Sequence, residues 1–147
     1  MSQWYDLYLN SPADADSVRE SIRSTGLVRP ADDGFRAAGL VGGTDPIPPT
    51  SRLAIRDAIG FDPAVVVWAQ VLRSEVALST HHVVFGLAKF FLTALAADVA
   101  LVYSGEVILF VRSAGRVAVS RTHREFLDVD VAMYVGREFT LTDFPNW

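Results

Sequence analysis

Three short segments towards the end of the chain restrict its fold more strongly than any other feature of the sequence. Their hydrophobic pattern has a period of two, and they span residues 99–103, 107–112 and 117–121. The two connections contain Ser104-Gly105 and Ala114-Gly115, residue pairs that favour tight turns. Because a period of two is that of a β-strand and short turns join antiparallel neighbours, the pattern predicts an antiparallel meander.

A long apolar helix is predicted immediately before this meander. Ser79 or Thr80 can cap its start, and the apolar residues that follow recur at helical spacing. The positions expected to face the core are Val84, Leu87, Ala88, Phe91 and Leu95. The uncharged part of this stretch, after Lys89, is shorter than the ~20 residues that a membrane span requires, so we expect no span.

The first half of the chain predicts strands that alternate with helices. Residues 4–9 have a strand pattern, and a helix follows that Ser11 can cap, with Pro12 at its first position and Gly26 as its stop. The other predicted elements are a strand at 35–41 ended by Gly42-Gly43, a surface loop at 44–50, a helix at 52–59 between Ser51 and Gly60, and a strand at 64–72. The last strand is apolar on both faces, which is typical of a central position in a sheet.

The segment after the meander allows two interpretations. Thr122 and Glu125 have the spacing of a capping box, which favours a helix that begins there. The alternative is a strand through Val129, Val131 and Met133. We expect the tail to be irregular and packed by Phe139, Phe144 and Trp147.

These elements predict one α+β domain that covers residues 1–147. The expected order is β-α-β-α-β-α-β-β-β, with a further C-terminal helix in the first of the two interpretations. A mainly antiparallel sheet would carry two or three helices packed on it. The length of 147 residues lies in the usual range for a single domain, and no repeat or linker divides the chain.

Composition excludes several classes of function. The net charge of −4 disfavours nucleic acid as a partner, because such binding requires a positive surface. The chain has no cysteine, which excludes disulfides, zinc–thiolate sites and thiol catalysis. The N-terminal residues lack the basic start and apolar run of a signal peptide, so we expect a cytoplasmic protein.

The sequence contains no recognisable catalytic motif. Serine-hydrolase elbows, phosphate-binding loops and zinc-protease helices are all missing. His81 and His82 are adjacent, but consecutive helical residues point about 100° apart and do not readily share a metal ion. We therefore predict a protein that is not an enzyme, with no cofactor and no metal site.

Asp6 is the one carboxylate in the first predicted strand. It lies on the same face as Trp4 and Tyr8. A polar residue between two aromatic residues indicates a contact surface, but it is equally typical of an edge strand protected against aggregation.

Three local patterns, together with the order of the elements, resemble the third type of the Sit immunity family. The patterns are Tyr5-Asp6-Leu7-Tyr8 before a helix, the run Ala58-Ile59-Gly60-Phe61-Asp62-Pro63-Ala64-Val65, and the strand–turn–strand stretch at 98–119. Members of that family are bacterial antitoxins whose partners are lipoprotein toxins delivered between kin cells. The resemblance covers almost the whole chain and implies that a cognate protein toxin is bound and inhibited.

Charge indicates where such a partner would bind if the toxin is basic. The densest acidic group of the sequence comprises Asp14, Asp16, Glu20, Asp32 and Asp33. Because complementary charge raises association rates and selects partners, we predict these residues as the partner-binding site.

Two other classes of function fit the same sequence. A small enzyme would have to assemble its site from dispersed residues such as Glu106, His81 and Asp6, in a pocket that gathers at least two of them. A general scaffold domain would instead form large assemblies without any toxin.

Overall fold

The computed structural model describes residues 3–37, 39–72, 77–94, 98–123 and 131–145. The strands are β1 (Gln3–Asn10), β2 (Arg29–Ala31), β3 (Gly34–Ala37), β4 (Leu40–Pro46), β5 (Val65–Val71), β6 (Asp98–Tyr103), β7 (Val107–Ser113), β8 (Arg116–Ser120) and β9 (Thr140–Thr142). The helices are α1 (Ala15–Arg23), α2 (Pro49–Ile59), α3 (Ala77–Ala94) and α4 (Val131–Val135).

These strands form one sheet in the order β2-β3-β4-β5-β1-β6-β7-β8-β9. All neighbouring strands are antiparallel except β8 and β9, which are parallel. The predicted α+β class with a mainly antiparallel sheet is confirmed. The meander is also confirmed, because β6, β7 and β8 are consecutive neighbours.

Both turns of the meander have a left-handed backbone. The φ angles are 52° and 72° at Ser104 and Gly105, and 53° and 78° at Ala114 and Gly115. Two consecutive residues with positive φ form the hairpin turn whose twist matches that of the strands on either side. The two glycines therefore suit their positions, whereas Ser104 and Ala114 adopt a left-handed backbone that residues with a Cβ rarely take.

One face of the sheet carries the main core. The odd-numbered residues of β1 from Tyr5 onwards, which are Tyr5, Leu7 and Leu9, are buried there. Both α1 and α3 pack on this face. Their buried residues are Val18, Ile22, Val84, Phe85, Leu87, Ala88 and Phe91. The predicted core stripe of the long helix is thus confirmed, apart from Leu95, which lies outside the described residues.

A smaller core lies on the opposite face. It joins α2 and the turn after it to β6 and β7, through Ile59, Phe61, Ala100, Val102, Ile108 and Val111. Tyr8 of β1 packs against it as well. Trp68 shares this face, because it pairs across the strands with Asp6, which in turn pairs with Val102. Among the described residues, this second core does not include Trp68.

The start of α1 differs from the prediction. Asp14, not Ser11, caps the helix, and its Oδ1 accepts a hydrogen bond of 2.8 Å from the Ser17 amide. The Ser11 hydroxyl instead accepts from the Ala13 amide at 3.2 Å. Ser11 therefore stabilises the turn that leads into the helix, and the helix begins several residues later than expected.

The predicted single strand at 35–41 is wrong, as is the start of the predicted loop at 44–50. The chain turns at Gly39, where φ is 73°, and β4 then continues through Gly42-Gly43 as far as Pro46. The two glycines do not end the strand, because aromatic rings occupy the space beside them. A Cβ on Gly42 would lie 2.5 Å from the Phe35 ring.

Other boundaries also differ. Pro48 precedes α2, and Ser51 lies inside that helix, because the fixed φ of proline suits a helix start without a side-chain cap. Ser79 and Thr80 lie inside α3, which begins at Ala77. Strand β2 lies in a segment for which no element is predicted.

The C-terminal segment contains a helix, but it does not begin at Thr122 as the capping box predicts. Thr122 and His123 are not helical, and 124–130 lie outside the described residues. Val131 and Met133 belong to α4, so the strand interpretation is wrong at those two positions. The tail is not wholly irregular, since β9 pairs with β8 and so gains backbone hydrogen bonds.

None of the helices in the described segments combines the length and apolar character needed to cross a membrane. The longest of them, α3, packs its apolar residues against the sheet.

Truncation of Leu101 tests the central part of the core. Leu101 is 0% exposed on β6, so Leu101→Ala should lower the free energy of unfolding by about 2–5 kcal/mol through lost burial and a cavity. Leu53→Ala is the matched control, because Leu53 is 58% exposed on α2 and should cost less than about 0.5 kcal/mol. Urea denaturation of both variants measures the difference, and equal losses would contradict the burial of Leu101.

Candidate functional site

A cleft of about 450 Å³ opens where β4 runs past the end of β3. Strand β3 pairs with Leu40–Gly42 of β4, and Gly43–Pro46 continue beyond it. The first turns of α1 form one wall, and the turn between β2 and β3 forms another. We call this the β4 cleft, and its lining residues are Ala15, Asp16, Arg19, Ala31, Asp32, Asp33, Gly34, Arg36, Val41, Gly42, Gly43, Thr44, Asp45, Pro46 and Trp68.

Glycine allows the close approaches that shape the β4 cleft. A Cβ on Gly34 would lie 2.0 Å from the carbonyl oxygen of Gly42. A Cβ on Gly43 would lie 2.9 Å from the ring of Trp68. No other residue fits at either position without displacement of its neighbours, so the glycines let β3 and an indole ring pack directly on the β4 backbone.

Trp68 and Asp45 form a polar pair at the β4 cleft. The indole Nε1 of Trp68 donates a hydrogen bond of 3.0 Å to Oδ2 of Asp45. The ring reaches Asp45 from the neighbouring strand by passing over Gly43, which pairs directly with Trp68. The cleft thus contains an aromatic surface with a carboxylate held beside it.

Two arginines of α1 hold the turn between β2 and β3 in place. Arg19 donates to the carbonyl oxygen of Asp33 at 3.2 Å. Arg23 donates to the carbonyl oxygens of Asp32 at 3.1 Å and of Gly34 at 2.7 Å. Because these bonds fix the backbone of the turn, they also fix the positions from which the side chains of Asp32 and Asp33 extend.

The structure brings together three of the five predicted partner-binding residues. Asp16, Asp32 and Asp33 line the β4 cleft, whereas Asp14 and Glu20 are outside its lining. Asp14 caps α1, and its hydrogen bonds with Ser17 lower the pKa of its carboxyl. Glu20 lies 3.1 Å from Arg23 and 3.6 Å from Arg19, so its charge is partly balanced within α1.

Asp6 does not lie on an edge strand. Its strand, β1, is paired with β5 on one side and β6 on the other, so protection of a sheet edge is not its role. Burial raises the pKa of the Asp6 carboxyl to about 6, although a hydrogen bond with Trp4 opposes part of that shift. The edge-strand interpretation of Asp6 is therefore wrong, and the contact surface stays a prediction.

The described cleft that contains Glu106 does not bring it together with Asp6, as the dispersed enzyme site would require. Glu106 lines a small cleft of about 80 Å³ with His123, and Asp6 is outside that lining. The side chain of His81 lies outside the described part of the structure. The neighbouring His82 has its Nδ1 2.9 Å from the hydroxyl of Tyr134. Within the described residues, no group of three or more His, Cys, Asp or Glu could hold a metal ion.

Sequence reasoning missed Trp68 and Asp45. Trp68 lies within a run that is apolar on both faces, and Asp45 lies in the segment predicted to be a loop. The available signal was the glycine pair before Asp45, because adjacent glycines inside a strand often mark a close approach by another group.

Comparison with known proteins gives no match to a family model, to a curated protein or to a solved structure.

Asp6 makes stability depend on pH. Its folded pKa of about 6 exceeds the ordinary value of 3.8, so the folded state favours the protonated carboxyl. The resulting stability is complete below pH ~4 and is lost as the pH rises through ~6. Asp6→Asn should therefore stabilise the protein by about 2–3 kcal/mol at pH ~7.5 and by almost nothing at pH ~4.

Urea denaturation at the two pH values measures this difference. Asp57→Asn, at an exposed position of α2, is the matched control and should show no comparable change. A loss of stability in Asp6→Asn that is the same at both pH values would contradict the effect of burial.

Gly43→Ala tests the contact between β4 and the indole. The added methyl group would lie 2.9–3.0 Å from ring atoms of Trp68, so the ring must move and its bond to Asp45 should weaken. We expect a loss of about 1–3 kcal/mol and a shifted indole N–H signal of Trp68 in NMR spectra. Gly86→Ala is the control, because the nearest atom there is the end of the flexible Leu27 side chain at 3.1 Å. An unmoved Trp68 signal in Gly43→Ala would contradict the packing.

Proposed function

We propose that this chain is an immunity protein that neutralises a cognate bacterial toxin by direct binding. The chain-long resemblance to the Sit immunity family motivates the choice of partner. The β4 cleft is the observation that carries the binding role, because it joins a recess, an aromatic surface and several carboxylates at one place.

The composition of the β4 cleft suits recognition of a protein. Tryptophan is among the residues that contribute most to protein–protein affinity, and such residues act from well-packed pockets surrounded by polar groups. Trp68 is half-buried in this setting, with polar side chains of α1 and of the β2–β3 turn around it. The volume of about 450 Å³ also lies in the range of ligand pockets, roughly 300–1,000 Å³.

Direct binding requires stoichiometric action. One immunity protein would occupy one toxin molecule in the cytoplasm of the protected cell, and excess toxin would overcome the protection. An enzyme that uses the small cleft of Glu106 and His123 would instead protect at substoichiometric amounts. A scaffold domain would form large assemblies without toxin, which light scattering of the purified chain detects.

Coexpression with the toxin tests the proposal. The probe is the product of the reading frame next to that of this chain. We expect cells that produce it alone to die and cells that produce it together with this chain to survive. Glu106→Gln and His123→Asn should protect as well as the original chain, because binding does not use them as an acid–base pair. Equal killing with and without this chain would overturn the proposal.

A stoichiometry measurement separates the mechanisms further. Titration of a fixed amount of purified toxin should show neutralisation that saturates at a fixed molar ratio, together with a complex in size-exclusion chromatography. Complete neutralisation by a trace amount of this chain, or loss of protection in Glu106→Gln alone, would favour the enzyme.

A further inference from the structure

We propose that the β4 cleft binds an arginine side chain of the partner protein, stacked on the Trp68 indole and paired with the Asp45 carboxylate. The identity of the partner rests on the proposed function, but the affinity of the cleft for arginine does not. The inference follows from charge, the shape of the cleft and the short free edge of β4.

Charge selects a cationic occupant. Four carboxylates line the β4 cleft, those of Asp16, Asp32, Asp33 and Asp45, against the two guanidinium groups of Arg19 and Arg36, which leaves a formal charge of −2. Arg19 lies 3.5 Å from Asp16, so that carboxylate is already partly neutralised, and Arg19 also donates to the carbonyl oxygen of Asp33 at 3.2 Å. A cation from a partner would therefore bring the lining closer to neutrality.

The aromatic surface favours a planar cation. The Trp68 ring passes over Gly43, which has no side chain, so the indole lies close to the backbone and also lines the cleft. A guanidinium group stacks on such a ring, whereas an ammonium group keeps a tighter hydration shell. The Trp68 N–H occupies one acceptor position of Asp45, and a carboxylate has about four.

The length of the free edge argues for a side chain instead of an added strand. Only Gly43–Pro46 of β4 continue past β3, and Pro46 has no backbone N–H. An extended peptide would gain few main-chain hydrogen bonds there, since strand addition depends on a long unpaired edge. Recognition at this place must come mainly from the side chain that enters the cleft.

The site is also held in its shape before binding. The bonds from Arg19 and Arg23 fix the β2–β3 turn, and Thr44 Oγ1 donates to the carbonyl oxygen of Ala15 at 2.8 Å, which ties α1 to β4. Ordering a loop on binding reduces affinity, so a wall that is already fixed favours the bound state.

NMR titration with blocked tripeptides tests the inference without a toxin. The probes are glycine-arginine-glycine, its lysine analogue and its neutral citrulline analogue. We expect the arginine peptide to shift the indole N–H signal of Trp68 in a saturable way, in the millimolar range, and the citrulline peptide to leave it unchanged. The signal is assigned by its disappearance in Trp68→Phe.

Variants then locate the binding. Asp45→Asn keeps the shape of the side chain and should weaken binding of the arginine peptide about tenfold. Asp57→Asn removes an equal charge from the exposed face of α2, outside the lining of the β4 cleft, and should leave the affinity unchanged. Asp45→Asn keeps the inference testable even if Trp68→Phe fails to fold.

Each other outcome overturns the inference. Equal binding of the lysine or citrulline peptide would show that the site does not select a planar cation. Unchanged affinity in Asp45→Asn would show that the peptide does not bind in the β4 cleft. An indole N–H signal of Trp68 that does not shift even at the solubility limit of the arginine peptide would show that the cleft does not bind arginine. If the chain protects cells but Asp45→Asn and Trp68→Phe protect equally well, the β4 cleft does not bind an arginine of the partner, and the proposed function stands. If the chain does not protect cells, the proposed function is wrong and the titration alone decides the arginine site.

Discussion

The pairing of β1 with both β5 and β6 joins the two halves of the sheet. On one side lie β2 to β5 and on the other β6 to β9, and no other strand pairing in the described residues connects them. These contacts link residues near the N-terminus to partners about 60 and 90 positions away, so they carry a large loop-closure cost that burial must offset. The three apolar residues of β1 that face the main core, Tyr5, Leu7 and Leu9, supply that burial.

The same central position determines how the opposite face of the sheet is used. Alternation along β1 places Asp6 between two paired strands, with Trp68 beside it on β5 and Val102 on β6. The helix α2 packs against the β6 and β7 side of this face. Among the described residues, the core formed there does not include Trp68 on β5. Here glycine in β4 takes the place of a side chain, and the indole reaches across it towards the sheet edge. The proposed surface for a partner lies where the second core ends.

Local patterns predicted the parts of the fold that depend on near neighbours. The meander was predictable because its turns, strand period and pairings all involve adjacent segments, and the stripe of α3 because helical spacing is local. The start of α1 was missed because three residues with capping chemistry or fixed φ, namely Ser11, Pro12 and Asp14, compete within four positions. The continuation of β4 through Gly42-Gly43 was missed because the groups that make glycine suitable there belong to other strands.

The candidate site was predictable in charge but not in shape. Asp16, Asp32 and Asp33 were found from their density in the sequence, yet density alone also selected Asp14 and Glu20, which serve α1 instead. Asp32 and Asp33 differ from Glu20 because Arg19 and Arg23 bind the backbone of their turn, whereas Asp16 lines the cleft although it also pairs with Arg19. A cluster of carboxylates attracts any cation. An indole beside a carboxylate, as in Trp68 and Asp45, can also discriminate among cations. The proposed selectivity for arginine therefore depends on two residues that meet only once β4 and β5 are paired.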